Sequence, residues 1–295
     1  MKSRPQVKIL LSTYNGQGWL QEQISSINCQ IDVDVELVIR DDGSTDRTID
    51  FLKVKSIDFK NRFYLERNIG AAKSFLKLVK MQDCEEYMGF ADQDDIWFPD
   101  KLKIATSKLS EFEHLPALYC SNVQFMSSGK LNGKVSVLPF PDLPLNIFQN
   151  SAMGCTIVFN KKAHDLIKRA SGQGMVMHDW YLFLVIALTG KVLFDPQPTM
   201  FYRLHSMQTV GWKRRRTLRT IFSKKIFEQL IAQIRSIDAE FSKDMNTNSR
   251  ELLENLLRIV DSPRRMRLSL LLQHKFQLRQ NILEDMWVKI RLICL

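Results

Sequence analysis

The sequence lacks every cysteine spacing that is typical of a metal site or a redox pair. Its five cysteines, at positions 29, 84, 120, 155 and 294, are odd in number and lie far apart. Such scattered thiols fit a reducing compartment, so we expect a cytoplasmic protein. The most apolar run, residues 180–190, is too short to cross a bilayer. Residues 1–8 carry no apolar stretch of signal-peptide length, so we expect no secretory signal.

The chain also lacks the two glycine-rich loops that commonly mark nucleotide binding. It contains no Gly-x-Gly-x-x-Gly segment and no phosphate loop ending in lysine and serine or threonine. These absences argue against a dinucleotide-dependent enzyme and against a P-loop NTPase. Internal repeats and low-complexity segments are absent from the sequence as well.

The 295 residues have an ordinary globular composition, 45% hydrophobic and 25% charged, but their charge is unevenly placed. Residues 1–212 hold 24 Lys/Arg and 23 Asp/Glu, whereas residues 213–295 hold 18 and 9. We therefore expect a near-neutral body over residues 1–212 and a basic helical segment over residues 213–295. Such a segment favours an anionic partner, either a membrane surface or nucleic acid.

Short apolar runs alternate with helical periodicity in the first half of the chain. Strands are predicted within residues 7–16, a run that ends in turn residues, and at 33–39, 63–65 and 87–91. Helices are predicted at 19–27, from Ser44 or Thr45 through Leu52, and at 71–79. This order predicts an α/β fold with a doubly wound, mostly parallel central sheet. Farther along, we predict strands at 117–123 and 155–159, a loop at 140–150 and a helix at 180–188.

Polar side chains follow each predicted strand of this first half. The carboxyl ends of parallel strands line one crevice, where ligands bind. In chain order the polar residues are Ser12, Thr13, Tyr14 and Asn15, then Asp41 and Asp42, then Asn68 and Gly70, then Asp92, Gln93, Asp94 and Asp95. Each cluster alone is ordinary turn chemistry. Together they indicate a nucleotide site.

The segment 90–97 (FADQDDIW) holds three carboxylates within four residues, flanked by apolar side chains. Carboxylates this close repel one another and are costly to bury unless a cation joins them. Mg²⁺ or Mn²⁺, taking oxygen ligands from the protein and from a diphosphate, would remove that cost. The alternative is an acidic turn that caps the next helix, because Pro99 and Asp100 are typical of a helix start.

Four segments resemble, in order, the motifs of the family 2 glycosyltransferases, an inverting class with the GT-A fold. They are 11–15 (LSTYN), 40–46 (RDDGSTD), 68–70 (NIG) and 92–97 (DQDDIW), and the resemblance covers residues 5–212. Within the family, the chain is most similar to bacterial rhamnosyltransferase-like members that build surface polysaccharides such as O-antigen. The resemblance implies a UDP- or dTDP-sugar donor and a glycan or lipid-linked glycan acceptor at the cytoplasmic face of the inner membrane.

The resemblance also implies roles on the nucleotide side of the site. Thr13 and Tyr14 would line the nucleotide pocket, and Asp41 would accept a hydrogen bond from the N3–H of the base. Asp92 would approach the ribose. The remaining nucleotide-side candidates are Ser12, Asn15, Asn68, Gly70 and Gln93.

On the reacting side, the resemblance implies that Asp94 holds the Mg²⁺ or Mn²⁺ ion, with His205 as a second ligand and Arg203 as added charge. It implies that Asp179 is the general base, because inverting transfer needs a carboxylate to take the proton of the acceptor hydroxyl. The residues by themselves leave another interpretation open. Asp179 would then be an N-cap or first-turn acid of the helix that follows, and His205 a surface histidine.

The basic segment begins at residues 213–216 (KRRR), and apolar residues keep helical spacing over 222–241 and 252–260. It is predicted either to contact an anionic membrane or to pack on the body as a helical appendage. Two other functions remain as alternatives. One is nucleic-acid binding by the basic tail, which has few interleaved aromatic residues and no nucleic-acid motif. The other is a catalytically inactive nucleotide-binding relative. The presence of Asp41, Asp92, Asp94 and Asp179 argues against it.

Overall fold

The computed structural model describes residues 3–55, 62–127, 130–136, 143, 145–205, 224–274 and 276–295. The strands are β1 (Gln6–Thr13), β2 (Asp34–Asp41), β3 (Arg62–Leu65), β4 (Tyr87–Ala91), β5 (Ile96–Trp97), β6 (Ala117–Ser127), β7 (Lys130–Val135), β8 (Val158–Asn160) and β9 (Lys191–Leu204). The helices are α1 (Leu20–Asn28), α2 (Thr48–Lys55), α3 (Ala71–Met81), α4 (Lys101–Leu109), α5 (Leu145–Phe148), α6 (Lys161–Ile167), α7 (His178–Thr189), α8 (Lys224–Phe241), α9 (Thr247–Asp261), α10 (Arg264–His274) and α11 (Ile282–Cys294).

The described strands form one mixed sheet in the order β3-β2-β1-β4-β8-β6-β9-β5, with β7 paired to β6. The strands β3, β2, β1 and β4 run parallel, and β8 is antiparallel to both β4 and β6. The register sets Thr13 opposite Asp41 and Leu11 opposite Ala91. The predicted α/β fold with a mostly parallel central sheet is therefore confirmed, and the polar segments after β1, β2 and β4 meet at one edge.

Alternation along the strands divides the core between the two faces of the sheet. Strand β1 directs Leu10 to one face and Ile9 and Leu11 to the other. The Leu10 face is covered by α3, α6 and α7 and by apolar residues of all four tail helices, whereas α1 and α4 cover the opposite face. Helix α7 is apolar all round because it lies between the sheet and the tail helices.

Helix α2 begins later than predicted, because the residues expected to cap it are engaged elsewhere. The Ser44 hydroxyl donates to the Asp41 carboxylate at 2.5 Å and accepts from the Asn15 N–H at 2.8 Å. Asp46 instead accepts the N–H of Thr48, the first residue of the helix, at 2.9 Å. The predicted start at Ser44 or Thr45 was therefore wrong.

Two predictions in the second half also need correction, and one strand was not predicted. Residues 154–156 form a 3₁₀ turn, held by two hydrogen bonds from Thr156 to the Met153 carbonyl, so the expected strand at 155–159 begins only at Val158. The expected loop at 140–150 contains the short helix α5, whose residues 146–148 are buried. Strand β9 was not predicted, because Pro196 and Pro198 interrupt its pattern where its register against β6 shifts.

Several predictions fall on residues outside those described, namely the boundary at 212, the basic run 213–216 and part of the loop at 140–150. The tail helices predicted over 222–241 and 252–260 are present as α8 and α9. In the described part of the chain, no helix combines the length and the apolar character that a bilayer crossing requires.

Candidate active site

The loop after β1 is joined to the acidic segment after β4 by the side chain of Gln93. Its amide oxygen accepts from the Thr13 hydroxyl at 2.8 Å and from the Tyr14 N–H at 2.9 Å, and its amide nitrogen donates to the Tyr14 carbonyl at 3.1 Å. Gly16 lies so close that a Cβ there would stand 2.3 Å from Gln93 Oε1. These contacts leave the Tyr14 ring about half exposed at the rim.

Asp41, at the end of β2, is fully buried and holds the turn that follows it. Its Oδ1 accepts from the N–H groups of Gly43 and Ser44 at 3.1 and 2.8 Å, and its Oδ2 accepts from the Ser44 hydroxyl at 2.5 Å. Asn15 joins the same turn, because its side-chain oxygen accepts the Thr45 N–H at 2.8 Å. Asp41 therefore shapes the loop at the predicted nucleotide pocket.

Asp42 and the buried Arg40 form a second network beside this turn. The Arg40 guanidinium donates to Asp42 at 2.5 Å, to Glu66 at 3.0 Å and to the Ser74 hydroxyl at 2.8 Å. Asp42 also accepts the N–H groups of Ile69 and Gly70, each at 2.8 Å. The segment 68–70 is thus held against the end of β2.

Two more predicted residues, Ser12 and Asn68, belong to this second network. The Ser12 hydroxyl lies 2.6 Å from that of Ser74, and the Asn68 side-chain oxygen accepts the Gly70 N–H at 3.1 Å. Gly70 has φ +82°, a conformation that side chains with a Cβ rarely adopt, and open space where a Cβ would lie. Most nucleotide-side candidates therefore belong to three bonded groups, one around Gln93, one in the turn held by Asp41 and Asn15, and one around Arg40 and Asp42, whereas Asp92 lies in the acidic cluster described below.

Asp94 and His205 meet although they lie far apart in sequence. His205 Nε2 is 2.6 Å from Asp94 Oδ2, and the imidazole stacks on Trp19 with ring centroids 4.2 Å apart. Arg203 donates to the Asp94 carbonyl at 2.9 Å and to the Glu22 carboxylate at 2.7 Å. The two predicted metal ligands are thus adjacent, with Arg203 alongside them.

The donor atoms of this pair fit a divalent cation. A carboxylate oxygen and an imidazole nitrogen, both only slightly exposed, suit Mn²⁺ better than Mg²⁺, which prefers oxygen ligands. Among the described residues, the buried Nδ1 of His205 has no hydrogen-bond partner, so the Nε2 contact and the stacking on Trp19 set the orientation of the ring. Asp94 and His205 would therefore hold the ion, and its remaining ligands would come from elsewhere.

A cluster of acidic groups lies next to Asp94. Ligand atoms of Asp92, Asp95 and Cys155 all lie within 4.8 Å of one another. Burial raises the pKa of Asp92 to about 7, helped by the nearby Asp94 and Asp179 carboxylates. Asp95 is fully buried without a conventional hydrogen bond to either carboxylate oxygen, and burial raises its pKa well above the usual range. This cluster is costly to ionise as it stands.

Lys101 is the nearest source of compensating charge for this group. Its ammonium is fully buried, has no hydrogen-bond partner among the described residues and lies 4.8 Å from the centre of the Trp97 ring. Burial lowers its pKa to about 8, although the acidic groups of Cys155 and Asp95 oppose that change. One buried cation thus faces several carboxyl groups whose ionised form is disfavoured by burial, and a cationic ligand would stabilise that ionised form.

Asp179 lies in the first turn of α7, facing the turn at 154–156. One carboxylate oxygen accepts the Gly154 N–H at 3.2 Å and the other accepts its neighbour Trp180 N–H at 2.7 Å. Burial raises the pKa of Asp179 to about 6, a value suited to a base that works near neutral pH. The N-cap residue is Met177, whereas Asp179 is an acid of the first turn, so the first-turn alternative describes its position and the N-cap alternative does not.

Within the part of the chain that the structure describes, His178 differs from its neighbour because it has no polar contact. Its ring stacks on Phe75 at 4.0 Å and meets the edge of Phe90 at 4.9 Å, and neither ring nitrogen has a partner. Burial lowers its pKa to about 3, which keeps the ring neutral. A Cβ at Gly154 would lie 3.0 Å from His178 Nε2, so glycine allows the turn to approach this helix end.

Two residues of the site had no predicted role, because Lys101 follows a helix-start motif and Cys155 is one of five scattered thiols. Asp95 was predicted only as a member of the acidic segment that would bind a cation. Trp19 was placed at a helix start, with no signal that its ring would meet His205. A separate cleft of about 550 Å³ lies between α5, β9 and the start of α9, and none of the predicted site residues lines it.

The chain matches the description "Glycosyl transferase family 2" over residues 8–156. It is 31% identical over 214 residues to a Shigella flexneri protein described as dTDP-rhamnosyl transferase RfbG, which covers 68% of this chain and 73% of that protein. It is 26% identical over 188 residues to the Escherichia coli UDP-Glc:alpha-D-GlcNAc-diphosphoundecaprenol beta-1,3-glucosyltransferase WfgD, covering 61% of this chain and 69% of that one.

Solved structures with low sequence identity share the fold. S. aureus TarS 1-349 in complex with UDP-GlcNAc superposes with a TM-score of 0.63 at 14% identity, covering 98% of this chain and 81% of that one. The mannosyltransferase PcManGT from Pyrobaculum calidifontis, in complex with GDP-Man and Mn²⁺, gives a TM-score of 0.52 at 15% identity, covering 98% and 85%. The matched share of this chain includes the tail helices, so the likeness extends beyond the central sheet.

Proposed function

Because this chain belongs to glycosyl transferase family 2, an enzyme family with the GT-A fold that uses nucleotide-sugar donors, we propose that it is an inverting, metal-dependent transferase of bacterial surface polysaccharide synthesis. The proposed donor is a UDP- or dTDP-sugar, and dTDP-rhamnose is the first to test because the Shigella relative is described as a dTDP-rhamnosyl transferase. The proposed acceptor is a glycan or lipid-linked glycan at an anionic membrane surface. The diphosphoundecaprenol in the name of the Escherichia coli relative favours the lipid-linked form.

The observation that carries this proposal is the convergence of Asp92, Asp94 and Asp179 at the carboxyl end of β4. Asp92 is close enough to the other two carboxylates for both to raise its pKa. Carboxyls whose ionised forms are disfavoured by burial and by one another gain stability when a cation that accompanies a diphosphate binds. Asp42 differs, because its carboxylate is already paired with Arg40.

The residues divide the proposed reaction between them. Thr13, Tyr14 and Asp41 would hold the nucleotide, and Asp92 would contact the ribose. Asp179 would take the proton of the acceptor hydroxyl while that oxygen bonds to the anomeric carbon. The bond from that carbon to the diphosphate breaks in the same displacement, and the nucleoside diphosphate leaves. The anomeric carbon of the transferred sugar is therefore inverted.

Asp94 and His205 would hold the divalent ion, which when bound offsets the charge of the departing diphosphate. Arg203 lies beside them and would add positive charge on the same side. We propose Mn²⁺ as the better fit and Mg²⁺ as the alternative.

The test is thermal stabilisation of the purified protein by UDP or dTDP, measured with Mn²⁺ and with EDTA. We expect a stabilisation that requires the metal, and we expect Asp94→Asn to lose at least about tenfold in metal-dependent affinity, since about 1.4 kcal/mol of a charge-assisted contact is tenfold. The product formed from the preferred sugar nucleotide should carry the inverted anomeric configuration by NMR.

Asp100→Asn is the matched control, because Asp100 is an exposed aspartate a few residues away whose side chain caps nothing. This variant should bind the nucleotide as the wild type does. Unchanged metal dependence in Asp94→Asn would remove the metal assignment, and a retained anomeric configuration would exclude the single displacement.

A further inference from the structure

The exposed apolar side chains of this chain are concentrated at its C-terminal end. Among the described residues, fourteen large apolar side chains are exposed, and eight of them lie within residues 266–295. They are Met266, Leu268 and Leu272 on α10, Ile282, Leu283, Met286 and Ile290 on α11, and Leu295 after it. Scattered single residues of this kind are ordinary, but a concentration on two adjacent helices marks an interaction surface.

These side chains follow the helical repeat. Ile282, Met286 and Ile290 are spaced by four residues and therefore form one stripe along α11, whereas Val288 and Leu292 of the same helix are buried. Leu268 and Leu272 form a similar exposed pair on α10, whereas Leu270 and Leu271 of the same helix are buried. Both helices thus carry apolar residues on an inner side and on an outer side.

The two preceding tail helices do not share this property. Helix α8 buries its apolar stripe, including Phe227, Ile234 and Phe241, in the core beside α7. Helix α9 likewise buries Leu253, Leu256 and Ile259. The alternative of a packed appendage therefore describes α8 and α9, and leaves the outer faces of α10 and α11 to be explained.

The charge around these faces is positive. Residues 262–295 contain seven Lys/Arg against two Asp/Glu. Arg264 and Arg265 are exposed at the start of α10, directly before Met266. Both acids are engaged with cations of the same segment, Glu284 with Arg279 and Asp285 with Lys289. An anionic partner fits this surface, whereas two copies of the chain placed face to face would bring like charges together.

We propose that the outer faces of α10 and α11 form a docking surface for an anionic lipid bilayer. The apolar stripes enter the boundary between headgroups and acyl chains, and the flanking arginines contact the acidic headgroups. This proposal deepens the proposed use of a membrane-side acceptor, because it assigns the contact to α10 and α11. It does not depend on the chemistry at Asp179.

The test compares full-length proteins in co-sedimentation with vesicles of phosphatidylcholine alone and vesicles containing phosphatidylglycerol. One variant combines Ile282→Gln, Leu283→Gln, Met286→Gln and Ile290→Gln, which keeps good helix formers on α11 and leaves the cap at Asn281 intact. A second combines Arg264→Gln and Arg265→Gln. The control combines Ile31→Gln and Val54→Gln, two exposed apolar residues of the body.

The wild type and the control should bind the anionic vesicles in a salt-sensitive manner and ignore the neutral ones. The glutamine variant of α11 should lose at least about tenfold in partition coefficient, because its apolar area no longer leaves water. The arginine variant should lose about fivefold for each arginine removed, on anionic vesicles only. Circular dichroism and donor hydrolysis should stay unchanged in both, which separates this proposal from the transferase proposal.

Three results would overturn the docking surface. One is vesicle binding by the α11 variant at the wild-type level. Another is a wild type that sediments as a dimer and becomes a monomer in the α11 variant, which would identify the face as a contact between copies. The third is binding to RNA or DNA, but not to anionic vesicles, that the arginine variant abolishes.

Discussion

The acidic residues after β2 and those after β4 lie at strand ends on either side of β1, and their electrostatic surroundings are opposite. Asp41 and Asp42 are buried, and each of their carboxylate oxygens accepts at least one hydrogen bond. Asp92 and Asp95 are close together, and Asp95 has no conventional hydrogen bond on either oxygen. Burial, like charge and one ammonium with no hydrogen-bond partner surround the second pair.

The comparison shows that buried aspartates can have different roles in one fold, depending on their partners. A buried carboxylate that is paired and hydrogen-bonded fixes the chain around it, as Asp42 fixes residues 68–70. A buried carboxylate that lacks such partners is destabilising in its charged form, and its site gains stability when a cation binds. In the proposed site, the first pair would shape the pocket, and the second pair would favour the binding of a cation.

The largest expected effect tests the first half of this comparison. Asp42→Ala leaves the buried Arg40 guanidinium without its closest partner and removes the acceptor of two N–H groups. Breaking a buried ion pair from one side costs about 3–5 kcal/mol of unfolding free energy. Urea unfolding in the absence of metal measures this loss.

The same denaturation on Asp100→Asn provides the reference, because that exposed side chain should contribute less than about 0.5 kcal/mol. If Asp42→Ala unfolds with the midpoint of that reference, the network around Arg40 does not stabilise the fold in the way described.

The next expected effect concerns Asp179, whose role distinguishes chemistry from structure. Asp179→Asn should reduce sugar transfer by about 10² or more, the usual scale of general-base catalysis, while the affinity for the donor stays nearly unchanged. Single-turnover transfer and donor titration measure the two quantities separately. The wild-type rate should also fall below about pH 6, because the pKa of this carboxyl is raised to about 6 and the base must be ionised.

Asp195→Asn offers a control for this result, since Asp195 is a mostly buried aspartate bonded to Lys108 and Tyr119, away from the predicted site. It should change stability more than it changes transfer. Equal losses of donor affinity and transfer in Asp179→Asn would indicate that this residue only holds the turn at Gly154.

The pattern of strands explains why the sequence predicted where the site lies. Apolar runs that end in polar residues identified the ends of β1, β2 and β4, and parallel pairing brings those ends to one edge. Composition alone did not separate Asp41 and Asp42 from Asp92 and Asp94. The difference between them depends on Arg40 and on N–H groups that become neighbours only through folding.

Contacts across long sequence separations account for the rest. The meeting of Trp19, Asp94 and His205 requires β9 to lie beside β5, and β9 was hidden by its prolines. The burial of Lys101 depends on how α4 packs against the sheet, which a helix-start motif does not contain. The helical spacing of the apolar residues on α11 is present in the sequence, as it is on α8. Only the structure shows that the outer stripe of α11 is exposed and that the stripe of α8 is buried.

The smallest expected effect is a pH dependence of stability that arises from Asp179, a buried carboxyl of α7 whose charge acts on Asp92. Burial raises the pKa of Asp179 from 3.8 to about 6, so the folded protein holds this proton more tightly than the unfolded chain does. The stabilisation is present below about pH 4 and is lost as the pH rises through 6, with a total of about 1–3 kcal/mol. Asparagine cannot ionise, so Asp179→Asn should gain that amount relative to the wild type between pH 4.5 and 7.5. Urea unfolding in EDTA at both pH values measures the gain, and a constant difference would show that the carboxyl is not destabilised by its burial.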